Sequence, residues 1–138
     1  LVSAALGAVV TLVDVPRVMP LLARNVAAAA TASATGSAEV AARPLWWGDL
    51  AAAESLLAER GPFDVVLCCE VVYQQTLRIQ EALRQTLDAI LARPGGRIVF
   101  AYQHRDGAEV TDANFFRSLT SSSGLRLVSE EPLDAWDD

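Results

Sequence analysis

The sequence predicts an α/β fold: a mostly parallel sheet with helices on both faces. Short, almost wholly apolar, β-rich runs alternate with segments whose apolar residues recur at helical spacing. Turn residues punctuate nearly every boundary between them. With 138 residues, 52% of them hydrophobic, the chain is read as one domain, residues 1–138, able to bury a sizeable core.

The elements follow in order. Leu1 to Leu6 reads as the end of a helix, closed by Gly7 as its C-cap. Ala8 to Val13 is a β-rich apolar run, the pattern of a strand covered on both faces, and it ends at Asp14. Pro16 suits the first turn of a helix, and Val18, Leu21, Leu22 and Val26 continue at helical spacing to about Ala30. Thr31 to Ser37 is a small, polar loop. Val40 to Leu45 reads as a short strand that Pro44 confines to an edge or a strand end. Trp46-Trp47-Gly48-Asp49 is then a loop, and Leu50 to Arg60 an alanine-rich helix stopped by Gly61-Pro62.

Phe63 to Cys69 is the clearest strand. Leu77 to Leu91 carries Ile79, Leu83, Leu87, Ile90 and Leu91 on one stripe, an amphipathic helix ended by Pro94-Gly95-Gly96. Arg97 to Tyr102 resumes as a strand. Asp112 is expected to cap a helix bearing Phe115, Phe116 and Leu119, and Gly124 to end it before a last strand over Leu125 to Val128.

Charge and cysteine usage narrow the function. The apolar stretches are broken by charges before reaching the roughly 20 residues of a membrane span, so no membrane role is expected and the chain reads as soluble. A net charge of −6 without a Lys/Arg stripe argues against duplex nucleic acid and fits a basic protein partner better. Adjacent Cys68 and Cys69 should point to opposite faces of a strand, which makes a disulfide between them unfavourable and a reducing compartment, the cytoplasm, the expected location. His104, the one histidine, has no metal-ligand cluster around it. No phosphate loop, nucleophile elbow or CxxC framework is present.

In parallel α/β sheets, ligands bind beyond the carboxyl ends of the strands. Three polar features stand there. Asp14 can accept from both hydroxyls of a nucleoside ribose, or is an ordinary aspartate of a strand-to-helix turn. Trp47-Gly48-Asp49 offers an indole edge, an unencumbered backbone and a carboxylate as walls for an adenine ring, although packing alone explains tryptophans equally well and is preferred for Trp46. Glu70 and Tyr73 put a carboxylate and a phenol at the end of an apolar strand, where a carboxylate must be solvated, hydrogen-bonded or used. The alternative is a solvated strand end that caps the next helix.

Taken together, Asp14, Leu45-Trp46-Trp47-Gly48, Glu70-Val71-Val72-Tyr73, and the Phe100-Ala101-Tyr102 strand with Asp112 and Phe115-Phe116 resemble a known family over nearly the whole chain. They are similar to methyltransferase family 16, class I S-adenosylmethionine-dependent enzymes that include many protein-lysine methyltransferases. The Leu-x-Trp-Gly segment and the Asp-x-x-Tyr-like motif carry most of that likeness. The resemblance implies a Rossmann-like sheet and S-adenosyl-L-methionine as cofactor. Asp14 would bind the cofactor ribose, Trp47 and Gly48 its adenine region, and the Cys69 backbone would line it. Glu70 and Tyr73 would face the methyl donor and the acceptor, the lysine side chain of a protein substrate. In such a site a carboxylate orients a neutral amine for in-line displacement, and an aromatic ring favours nearby cationic character.

Two departures stand out. Glu70 occupies a position where the family usually has Asp. The first, central strand with its glycine-rich loop, which cradles the methionine end of the cofactor, is missing from the chain. A natural protein longer at the amino end is therefore expected, and longer at the carboxyl end too, where an antiparallel strand would follow Trp136. The 138-residue chain alone is expected to bind cofactor weakly and to be inactive. Besides the N-methyltransferase reading, a non-catalytic interaction module on the same fold remains open. A nicotinamide-dependent oxidoreductase would need a dinucleotide fingerprint that the chain does not show.

Overall fold

A computed structural model describes residues 2–32, 39–72, 76–103 and 105–131. They fall into two compact units, Leu1–Pro62 and Phe63–Asp138.

The first unit opens with α1 (Val2–Ala5), whose end is closed by Gly7 at φ 91°. Strand β1 (Val10–Asp14) follows, then a 3₁₀ turn at Pro16–Val18 and α2 (Met19–Ala32). Pro16 opens that turn, where its missing N–H costs nothing. Strand β2 (Val40–Pro44) pairs parallel to β1, from Val10 opposite Val40 to Asp14 opposite Pro44. Pro44 thus takes the strand-end place its lack of a donor requires. Helix α3 (Leu50–Arg60) begins where the Asp49 carboxylate accepts the Ala52 N–H at 3.0 Å, and it stops at Gly61 with φ 74°. It buries Ala53 and Leu56. Arg43 on β2 reaches Glu59 on α3, its Nε donating at 2.8 Å to Oε2, while Arg60 pairs with Glu39. The guanidinium holds the Glu59 carboxyl below its ordinary range, chiefly through that hydrogen bond.

In the second unit, β3 (Val65–Cys69) pairs parallel to β4 (Arg97–Ala101), with Cys69 opposite Ala101. Between them runs α4 (Leu77–Ile90), capped by Thr76. Helix α5 (Glu109–Ser122) packs against α4. The buried face of α4 is Gln80, Leu83, Thr86, Leu87 and Ile90. Ile79, expected on that stripe, lies one step around the helix and is exposed. Gln80 takes the inward position and satisfies its amide by donating to the Thr111 carbonyl at 3.4 Å. Phe100 on β4 stacks edge-on against Phe115 and Phe116 of α5, with ring centres 5.9 and 5.2 Å apart.

Three expectations need correction. The helix of Phe115 starts at Glu109 with Ala108 as its N-cap, so Asp112 does not cap it. That carboxylate lies inside the first turns of α5, buried, because the packed Phe115 face draws the same side of the helix inward. Leu125 to Val128 is not a strand: no strand runs beside it among the described residues, and Leu127 and Val128 are exposed. Finally, helices were expected on both faces of the sheet, and among the described residues β3 has one face exposed. Cys68 is buried, whereas Val65 and Leu67, with Val99 on β4 opposite Leu67, lie on an exposed face, since α5 packs on the Phe100 side. Strand pairing is parallel as expected, in two separate two-stranded sheets, β1 with β2 and β3 with β4.

Candidate active site

Both units end their parallel strands in polar clusters. In the first, Asp14 closes β1 and its exposed carboxylate accepts the Val15 N–H through Oδ1 at 2.7 Å. The parallel register sets Asp14 beside the turn that follows β2, and the Asp14 carbonyl accepts the Leu45 N–H at 2.9 Å. Leu45 is buried and anchors the turn. Trp46 is 54% exposed, which suits the rim rather than the core. Trp47 is half-buried, and Gly48 has φ 84°, a conformation only glycine adopts without strain. The tight turn is closed by the Asp49 N–H on the Trp46 carbonyl at 3.1 Å. Asp14 and Trp47-Gly48 are thus brought together at one end of one strand pair. A carboxylate that can take two hydroxyls, an indole and a glycine turn at the same strand ends are groups of the kind that hold a nucleoside. Asp49, offered as a third wall, spends its Oδ1 on capping α3.

In the second unit, Cys69 ends β3 and Glu70 follows it. Glu70 has φ 53°, in the left-handed region, which costs a non-glycine residue about 1–2 kcal/mol. Three hydrogen bonds from the end of β4 and the loop after it hold that conformation. The Glu70 N–H donates to the Ala101 carbonyl at 2.8 Å. Its Oε1 accepts the Gln103 N–H at 2.7 Å, and its Oε2 accepts Arg105 Nη2 at 2.7 Å. With side chains 39% and 43% exposed, the Arg105 and Glu70 ion pair contributes no more than about 1 kcal/mol to stability. Its effect is geometric: both carboxylate oxygens are fixed. An ionised carboxylate offers about four acceptor directions, so each oxygen keeps capacity for another donor.

Tyr73 and His104 lie outside the described residues. Gln103 and Arg105 were not singled out in the sequence. The signal was the register itself: with Cys69 opposite Ala101, the residues just beyond each strand must meet. Cys68 and Cys69 are both free; burial pushes the Cys68 thiol up to about 12, and Cys69 is exposed. Among the described residues no group of three or more His, Cys, Asp or Glu is placed to hold a metal, and no helix is long and apolar enough to cross a membrane.

Parallel strand pairs, each with a helix between its strands, place the chain in the class of α/β proteins. Within that class it belongs to the lysine methyltransferase family, whose model matches residues 1–122. Methyl transfer is the reaction class this family defines. A search of curated proteins found no match.

Proposed function

We propose that the protein is an S-adenosyl-L-methionine-dependent N-methyltransferase, a single domain over residues 1–138 and cytoplasmic, that methylates a lysine side chain of a protein substrate. The observation that carries this reading is the register that sets Asp14 opposite Pro44 and bonds its carbonyl to the Leu45 N–H, so that Asp14 and the Trp47-Gly48 turn follow the carboxyl ends of two neighbouring parallel strands. Asp14 accepts from the ribose hydroxyls, and Trp47 and Gly48 border the adenine. The Cys69 backbone lines the cofactor. When bound, the cofactor supplies an electrophilic methyl group on a sulfonium.

The chain's own residues position the nucleophile. Glu70 accepts a hydrogen bond from the acceptor amine and disperses the positive charge that develops on it, and the Tyr73 ring favours the cation beside it. Alignment of the amine at near-attack distance is the main catalytic contribution such a site makes. The net charge of −6 suits a basic, lysine-bearing protein surface.

Titration calorimetry of the full-length protein with S-adenosyl-L-methionine tests the first half. Saturable binding is expected, weakened about 10-fold to 100-fold by Asp14→Ala, the equivalent of one lost charge-assisted contact. Absence of binding would sink the enzyme reading in favour of a non-catalytic module. Transfer of labelled methyl to proteins of a cell extract, with the modified residue identified by mass spectrometry, tests the second half; label on residues other than lysine refutes it.

A further inference from the structure

Glu70 is the one described non-glycine residue with positive φ, and a residue held in a sparsely populated conformation persists only where its surroundings over-determine it. Those surroundings are a short stretch of chain: the Ala101 carbonyl, the Gln103 amide and the Arg105 guanidinium all bind Glu70. The bond from the Glu70 N–H to the Ala101 carbonyl follows from the parallel register and would form with many residues at position 70, whereas the Gln103 amide engages the carboxylate itself. Arg105 is different, because it is the side chain that pulls on the second carboxylate oxygen and so sets the rotation of the whole group.

We infer that Arg105 is a positioning residue for the methyl-transfer reaction: it clamps the Glu70 carboxylate against the Gln103 amide, so that the remaining acceptor directions of Glu70 point one way for the incoming amine. The inference rests on the proposed function, which makes Glu70 the group that orients the acceptor. A clamped carboxylate also differs chemically from a free one. With one oxygen held by the guanidinium and the other by the Gln103 amide, it acts as an orienting acceptor and charge partner for the incoming amine.

The test uses the full-length protein with Arg105→Ala and Arg105→Lys. For Arg105→Ala, kcat falls about tenfold or more while KM for the cofactor stays within about twofold, because misorientation of the nucleophile acts on the chemical step and not on nucleoside binding. Arg105→Lys, which restores a cation at similar reach without the guanidinium fork, recovers a large part of kcat. Hydrogen exchange at the Gln103 amide becomes faster in Arg105→Ala and returns toward the wild-type rate in Arg105→Lys. An active wild-type enzyme with unchanged kcat in Arg105→Ala, or unchanged exchange at Gln103, overturns the positioning role alone. A full-length wild-type protein that transfers no methyl group overturns this inference together with the function it rests on.

Discussion

Phe115 links the helical layer to the strand that carries the Glu70 clamp, and its replacement should show how firmly that strand is held. The ring is 2% exposed and touches Phe100 and Phe116 edge-on, with centres 5.9 and 5.4 Å away. Truncation to alanine in a packed core costs about 3–5 kcal/mol, the sum of lost transfer energy and the cavity left behind. Each edge-to-face pair accounts for about 0.5–1.5 kcal/mol of that. Phe115→Leu keeps most of the apolar area but loses both pairs, so it should cost about 1–3 kcal/mol. Phe116 is half-buried, and Phe116→Ala should cost less than Phe115→Ala.

Urea unfolding followed by circular dichroism measures this series. With a slope near 2 kcal/mol/M, typical of small proteins, Phe115→Ala should move the midpoint down by roughly 1.5–2.5 M at unchanged slope. A loss below about 1 kcal/mol for Phe115→Ala, or an equal loss for Phe115→Leu and Phe115→Ala, refutes the reasoning, because either result means the ring contacts do not stabilise the fold.

Two further outcomes follow from titratable groups. Burial pushes the Cys68 thiol up to about 12, so maleimide at pH 8 should modify exposed Cys69 and spare Cys68 until the protein unfolds. Because the folded value lies above the unfolded thiol value of about 8.5, the stability associated with Cys68 is intact below that pH and is lost as pH rises toward 12; Cys68→Ala should flatten this alkaline loss in denaturation curves. Tyr102 has its phenol raised, first by burial and then by the negative charges of Asp112 and Glu130, so Asp112→Asn should lower its titration midpoint without restoring the ordinary value. Ultraviolet titration in a Tyr73→Phe background reads this, and an unmoved midpoint contradicts the assignment.

Much of the fold was legible because its signals were local. Gly61, the Pro94-Gly95-Gly96 turn and the apolar runs ending at Asp14 and Cys69 each act through conformations that one or two residues impose. What stayed hidden depended on contacts between distant residues. Asp112 looked like a cap because aspartate favours that position, but the demand to bury Phe115 and Leu119 sets the register of α5 and carries Asp112 inside with them. There its Oδ1 has no hydrogen-bond partner among the described residues, a cost that no local propensity announces. Leu125 to Val128 had strand composition, yet a strand exists only where a partner supplies its hydrogen bonds. At the candidate site, Asp14, Trp47, Gly48 and Glu70 could be singled out as strand-end groups, while Cys69 entered through the family resemblance alone. Arg105 and Gln103 could not, since their meeting with Glu70 spans more than thirty positions and becomes visible only with the β3 to β4 register.

The choice of glutamate at position 70 has a consequence that separates backbone ease from carboxylate placement. Aspartate enters the left-handed region more readily than glutamate, so Glu70→Asp should relax the φ 53° backbone and leave stability unchanged or raised by a few tenths of a kcal/mol. The same change withdraws the carboxylate by about 1.5 Å, one carbon–carbon bond. Two contacts of 2.7 Å, to the Gln103 amide and to Arg105, cannot both survive that retreat without movement of the loop. Glu70→Asp should therefore melt at or above the wild-type temperature, yet show faster exchange at the Gln103 amide and a reduced kcat. If the variant loses stability while keeping both the amide protection and kcat, then the backbone conformation, and not the length of the side chain, is what position 70 contributes to the site.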